Sequence, residues 1–203
     1  MSRFAPNRKN AEPTPRALAI RAALGDRSLV MIGLMGCGKT SVGRRLSVAT
    51  GLGFVDADAE IELAAGKSIS EIFADHGEEH FRDGERKVIA RLLRSGPQVL
   101  ATGGGAWMNA ETRASIRRSG ISIWLRAELP LLMRRVMRRE NRPLLRTSDP
   151  EARMRELMTQ RYPIYSEADV TVDSREVPHD VMVEEILTAL EQGLLEPKPA
   201  AAP

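Results

Sequence analysis

Short apolar runs alternating with helical patterns predict an α/β fold, a three-layer arrangement with a parallel five-stranded sheet between helices. Three observations carry that prediction. Ser28–Gly33, Phe54–Asp56, Val99–Thr102, Ile121–Leu125 and Val170–Asp173 read as buried strands, each followed by a candidate helix. A glycine-rich loop, Gly33–Thr40, stands between the first run and a helical pattern over Ser41–Ala49. The composition of the 203 residues, 42% hydrophobic and 28% charged, is that of one ordinary globular domain.

Taken in order, residues 1–26 carry Pro6, Pro13 and Pro15 among Arg, Asn and Ala, with a short helical pattern over Ala17–Leu24, and read as a flexible arm. The folded unit is expected over 27–195. Ser68 and Glu71 are spaced as a capping box opening a helix. Phe81, Val88, Ile89, Leu92 and Leu93 make the apolar face of a helix near Glu79–Arg94. Gly120 sits as a helix stop, and Asp149 before Pro150 as a helix start. Between two helical patterns, Asn141–Pro150 is rich in turn formers and reads as a lid. Residues 196–203, EPKPAAAP, have nothing to bury and read as a disordered tail.

Several function classes fall away. A net charge of +3 gives no global case for nucleic acid, and the arginines at 134, 135, 138 and 139 lack interleaved aromatics for base stacking. No apolar run reaches the roughly 18 residues of a membrane span, and no secretory core is present. The single cysteine, Cys37, cannot form an internal disulfide, which fits a cytoplasmic protein. With no exposed heptad or repeat, a monomer is expected.

The residues able to do chemistry cluster at the ends of the runs. Gly33-Leu34-Met35-Gly36-Cys37-Gly38-Lys39-Thr40 matches G-x-x-x-x-G-K-[ST] in its required strand-to-helix context. Glycines let successive N–H groups turn onto phosphate oxygens. Lys39 reaches the β- and γ-phosphates, and the Thr40 hydroxyl ligates Mg2+. Cys37 reads as bulk that fits. No carboxylate ends the Val99–Thr102 run, which passes directly into Gly103-Gly104-Gly105. The acids follow the second run instead, as Asp56-Ala57-Asp58. In an extended chain both would point one way, one toward Mg2+ and one toward an acceptor; alternatively, Asp58 caps a helix. The three glycines allow close approach of a ligand to bare N–H groups, or form a flexible turn. Arg82 and Arg161, taken alone, read as surface residues. An arginine on the lid is the residue type that phosphoryl transfer asks for.

In order and approximate spacing, these pieces resemble the shikimate kinase family. The resemblance is carried by the phosphate loop, Asp56-Ala57-Asp58, Gly77–Arg82, Gly103–Gly105, Asn141-Arg142-Pro143-Leu144-Leu145 and Arg161-Tyr162-Pro163-Ile164-Tyr165, and covers about Leu29 to Ser174. It implies a nucleoside-monophosphate-kinase-like P-loop fold with strand order 2-3-1-4-5 and transfer of phosphate from ATP to the 3-hydroxyl of shikimate with Mg2+. It further implies that Thr40 ligates Mg2+ directly and Asp56 through water. Lys39 and the backbone of Gly36, Cys37, Gly38, Thr40 and Ser41 would hold the phosphates. Asp58 would orient or deprotonate the attacking hydroxyl, while Arg82 and Arg161 grip the carboxylate and Glu85 orients Arg82. Gly104, between Gly103 and Gly105, would touch the substrate, and Arg142 would reach ATP from the lid. Arg175 is the guess for an adenine contact. Trp107, two residues past the glycines, is placed to report acceptor binding. The pattern departs from the family in a segment before the last strand, Tyr165–Asp169, that is one residue short.

Two other readings compete. A gluconate-type kinase would not be expected to combine the paired aspartates, triple glycine and two arginines. A nucleotide switch predicts partner binding without acceptor-stimulated turnover, and the Asn-Lys-x-Asp guanine signature is absent.

Overall fold

The computed structural model describes residues 13–138 and 147–195. Its frame is β1 (Ser28–Ile32), buried along its whole length. A strand of this kind requires covered layers on both sides. It lies between β3 (Gln98–Ala101) and β4 (Gly120–Arg126), with β2 (Gly53–Asp56) outside β3 and β5 (Val170–Asp173) outside β4. All pairs are parallel and the order is β2-β3-β1-β4-β5, as expected. Asp56 stands opposite Ala101, which stands opposite Met31, so the carboxyl ends of three strands share one edge. Open α/β sheets place ligands outside that edge.

The helices are α1 (Pro15–Leu24), α2 (Lys39–Thr50), α3 (Ala57–Ala65), α4 (Ile69–Leu93), α5 (Ala110–Ser119), α6 (Leu129–Val136), α7 (Pro150–Tyr165) and α8 (His179–Leu194), with a short 3-10 helix at Ala106–Met108. The Ser68–Glu71 capping box is formed, and Asp149 caps α7 by accepting from the Ala152 N–H at 2.9 Å. α4 begins ten residues before the expected Glu79, because two helical segments run together across a kink. Gly77 (φ 80°, ψ 175°) separates them in a conformation that favours glycine. Ile72 before it and Phe81 after it join Ile61 in a small satellite cluster, whereas Ile89, Leu92 and Leu93 farther along belong to the main core. Gly120 does not stop α5 in a left-handed turn. It is extended, and a Cβ there would stand 2.9 Å from the Ser28 carbonyl, so glycine permits the approach of β4 to β1.

The expected flexible arm over 1–26 requires correction from Pro13 onward. Thr14 caps α1 by accepting from the Ala17 N–H, with Pro15 opening the helix. Ala17, Ile20 and Leu24, spaced three and four apart, are buried where α1 meets α2 and α8. Arg16 bonds Glu184 and Thr188 of α8, and Arg21 donates to the Gly51 carbonyl at the end of α2. Pro15 starts a helix here instead of keeping the chain extended. Residues 1–12 and the tail at 196–203 lie outside the described residues.

Because Ile20 is fully buried, Ile20→Ala is expected to cost about 2–4 kcal/mol, read from urea unfolding of the whole chain. A loss under about 0.5 kcal/mol would show that α1 is not integral to the core.

Candidate active site

The phosphate loop joins β1 to α2 at the shared edge. Gly33, Gly36 and Gly38 all have positive φ (137°, 85° and 104°), which L side chains rarely adopt. At Gly36 space is also lacking: a Cβ would stand 2.9 Å from the Val136 side chain of α6. The carbonyls of the loop are held from outside. Arg135 Nη1 donates to the Gly36 carbonyl at 3.2 Å and to Ser174 Oγ at 2.9 Å, and Ser174 Oγ donates to the Cys37 carbonyl at 2.8 Å. Lys39 Nζ donates to the Gly33 and Leu34 carbonyls at 2.8 and 3.1 Å. Cys37 itself is buried, its sulfur packed toward Gly33, so any part it takes in phosphate binding is through its main chain.

A cleft of about 340 Å³ opens over this loop, lined by Gly36, Gly38, Lys39, Thr40 and Ser41 and by both aspartates. The aspartates are not two residues of one extended chain. β2 ends at Asp56, which becomes the N-cap of α3 by accepting from the Asp58 N–H at 3.2 Å, and Asp58 lies in the first helical turn. The cap is therefore Asp56, not Asp58. Its other oxygen accepts from Thr40 Oγ1 at 3.0 Å, joining the start of α2 to the end of β2. A hydroxyl and a carboxylate at one point are oxygen donors of the kind Mg2+ takes, and two protein ligands are enough for an ion that keeps water and phosphate oxygens.

A second cavity of about 270 Å³ lies beside the first, lined by Asp58, Arg82, Glu85, Gly103, Gly105 and Arg161, with Ile69, Phe73 and Phe81 as its apolar wall. Asp58 and Gly104 line both cavities. Arg82 Nη1 donates to Glu85 Oε2 at 2.7 Å, and its other nitrogens donate to Glu78. Burial works against the Arg82 charge, but the two carboxylates outweigh it and raise its pKa. Glu85 is almost wholly buried, and that desolvation raises its pKa despite Arg82. Its Oε1 is buried without a hydrogen-bond partner. A Cβ on Gly103 would stand 2.5 Å from that atom and 2.9 Å from Asp58 Oδ1, and one on Gly105 would overlap the Arg82 guanidinium at 2.5 Å. The three glycines are thus a close approach and not only a pliable turn. Arg161, expected from its type alone at the surface, is 8% exposed and donates to the Gly104 carbonyl at 2.8 Å.

The structure thus brings the site residues expected from the sequence to the two cavities, except Cys37, which is buried and lines neither, and Arg142, which lies outside the described residues with the lid up to residue 146. Arg175 does not line the cleft. Its guanidinium pairs with Glu185, and its carbonyl accepts from Arg135. The cleft is also lined by Thr102 and His179, to which the sequence gives no site role, and by Arg135 and Arg138, which it marks only as a basic cluster without base-stacking partners. The arginines sit three apart on or just past α6, a spacing that marks one face but not what it faces. The His179 pKa is lowered by partial burial and by Arg45 and Arg135.

Residues 35–191 match the family model described as shikimate kinase. The chain belongs to the shikimate kinase family. A shikimate kinase of Rhodopseudomonas palustris is 56% identical over 181 residues, 89% of each chain, and one of Caulobacter vibrioides is 59% identical over 172 residues, 85% of this chain and 86% of that one. Among solved structures, a shikimate kinase of Acinetobacter baumannii in complex with shikimate is 35% identical, with a TM-score of 0.82 covering 87% of this chain and 99% of that one. A gluconokinase of Sinorhizobium meliloti, 21% identical with a TM-score of 0.59, shares the fold alone.

Gly36→Ala combines backbone strain with a clash, whereas Gly66→Ala at φ 63° meets open space. Calorimetric titration with ATP is expected to show affinity lowered at least about tenfold in Gly36→Ala and unchanged in Gly66→Ala.

Proposed function

We propose that this chain transfers the γ-phosphoryl group of ATP to the 3-hydroxyl of shikimate, releasing ADP and shikimate 3-phosphate for aromatic amino acid biosynthesis. The observation that carries this reading is the sharing of Asp58 and Gly104 by two cavities, one floored by the phosphate loop and the other carrying two arginines. A phosphoryl donor and a carboxylate-bearing acceptor lying in these cavities meet at Asp58, and direct transfer needs that proximity.

Arg82 and Arg161 take the planar shikimate carboxylate, which suits guanidinium forks. Their grip aims the ring hydroxyls at Asp58, which orients the 3-hydroxyl and accepts its proton as the new O–P bond forms and the bond to ADP breaks. Glu85 keeps Arg82 in place. The backbone of Gly36–Ser41, with Lys39, holds the triphosphate and neutralises charge growing on the ADP side. Thr40 and Asp56 are the residues that would hold Mg2+. Once bound, Mg2+ supplies charge neutralisation on the phosphate oxygens. Arg142, on a lid over about 141–150, closes on the ATP phosphates and excludes water. Residues 27–195, joined by the α1 helix, form the working unit, and we place it in the cytoplasm as a monomer without nucleic-acid or membrane partners. The small net charge gives no electrostatic case for a nucleic-acid partner, and among the described residues no helix is long and apolar enough to cross a membrane.

The direct test is ADP release from Mg2+–ATP with no acceptor, shikimate, quinate or gluconate. Stimulation by shikimate alone is expected. ATP binding without stimulation by any acceptor would favour a nucleotide switch. Lys39→Ala is expected to lower kcat by at least about a hundredfold, whereas Arg161→Ala chiefly raises the shikimate KM. Arg142→Ala is expected to lower kcat or ATP affinity by about tenfold or more, and a variant with both intact overturns the lid assignment.

A further inference from the structure

The Gly104 carbonyl, at the junction of the two cavities, accepts two hydrogen bonds from one face of α7. Arg161 Nη1 supplies one at 2.8 Å, and the hydroxyl of Tyr165, four residues later, supplies the other. Tyr165 has no exposed surface, so its hydroxyl has no access to bulk water. Burial raises the phenol pKa and the neighbouring Arg161 only partly opposes it, which leaves a neutral donor at working pH. The last turn of α7 is tied to the same region a second time, by Trp107 Nε1 donating to the Ile164 carbonyl at 2.9 Å.

These two hydrogen bonds to one carbonyl bear on how Arg161 does its work. A guanidinium engaged with Gly104 can turn fully to an incoming carboxylate only if the peptide it leaves keeps its orientation and a donor. We propose that Tyr165 is a positioning residue for the acceptor: it holds the Gly104 peptide in place so that Arg161 is released to the acceptor carboxylate. The proposal rests on the assignment of Arg161 to shikimate. Without the Tyr165 hydroxyl, Arg161 is the one donor left of the two to Gly104 and is held back from its ligand.

α7 supplies its own control. Tyr162 donates its hydroxyl to the Ala127 carbonyl, beyond the end of β4 and away from both cavities, and burial raises its pKa to about 12. Tyr165→Phe and Tyr162→Phe therefore each delete one hydroxyl bonded to a main-chain carbonyl, but only the first touches Gly104. Tyr165→Phe is expected to raise the shikimate KM by about fivefold to tenfold while the ATP KM and kcat stay within about twofold, and Tyr162→Phe to leave all three within about twofold. A shikimate KM in Tyr165→Phe within about twofold of wild type, or an equal rise in both variants, overturns the proposal. These are the only two tyrosines of the chain, so fluorotyrosine labelling in Tyr162→Phe reports on Tyr165 alone without removing its hydroxyl. Its fluorine resonance is expected to shift with shikimate and not with ATP alone; one that shikimate leaves unmoved overturns the proposal even if Tyr165→Phe fails to fold. Wild-type protein that does not phosphorylate shikimate defeats the underlying assignment instead, and does so before any variant is made.

Discussion

The arrangement depends on how closely the phosphate loop is pressed against α6. At Gly36 the main chain meets the Val136 side chain so nearly that a methyl group has no room, and the backbone there occupies a region L side chains avoid. With this contact made, Arg135 comes within reach of the loop carbonyls and Ser174 closes onto Cys37. Carbonyls held from behind leave the loop's N–H groups as its presentable polar surface, which is what an anion site requires. α2, beginning at Lys39, then carries Thr40 to the end of β2, where the Asp56 carboxylate both caps α3 and receives the hydroxyl.

The neighbouring cavity is built on a different principle. Its charged groups are balanced and buried together: Glu85 is desolvated against Arg82, and the glycines at 103 and 105 bring the main chain to within a side chain's width of both. An uncompensated charge at this depth would cost several kcal/mol, on the order of the stability of a domain, so the pairing of Arg82 with Glu85 is a condition of folding as well as of binding. Arg161 reaches the same place from α7, across 57 positions of sequence, and can be buried because the Gly104 carbonyl satisfies it.

That distance marks the limit of what could be read beforehand. The strands, the phosphate loop and the Ser68 cap were legible because each is a local pattern, and all five strands lie within a few residues of where periodicity puts them. The strand order came from family resemblance, since apolar runs carry no information about their neighbours. α1 was misread because three prolines in fifteen residues resemble an extended arm, and its buried face is made partly of an alanine. Arg161 looked like surface because an arginine's burial is decided by partners distant in sequence. For Arg135 and Arg138 the helical spacing was visible but the facing surface was not, and His179 had no neighbour in the sequence to mark it.

The satellite cluster of Ile61, Ile72 and Phe81 has a kinetic implication. It straddles the kink at Gly77, with Ile72 before and Phe81 after it, and includes part of the apolar wall beside Arg82. So few buried side chains give this wall a lower opening free energy than the sheet, and amide hydrogen exchange will be faster over α3 and the first half of α4 than over β1. The apolar wall of that cavity is thus the part of it that local opening reaches first, while the strands that anchor the phosphate loop stay closed.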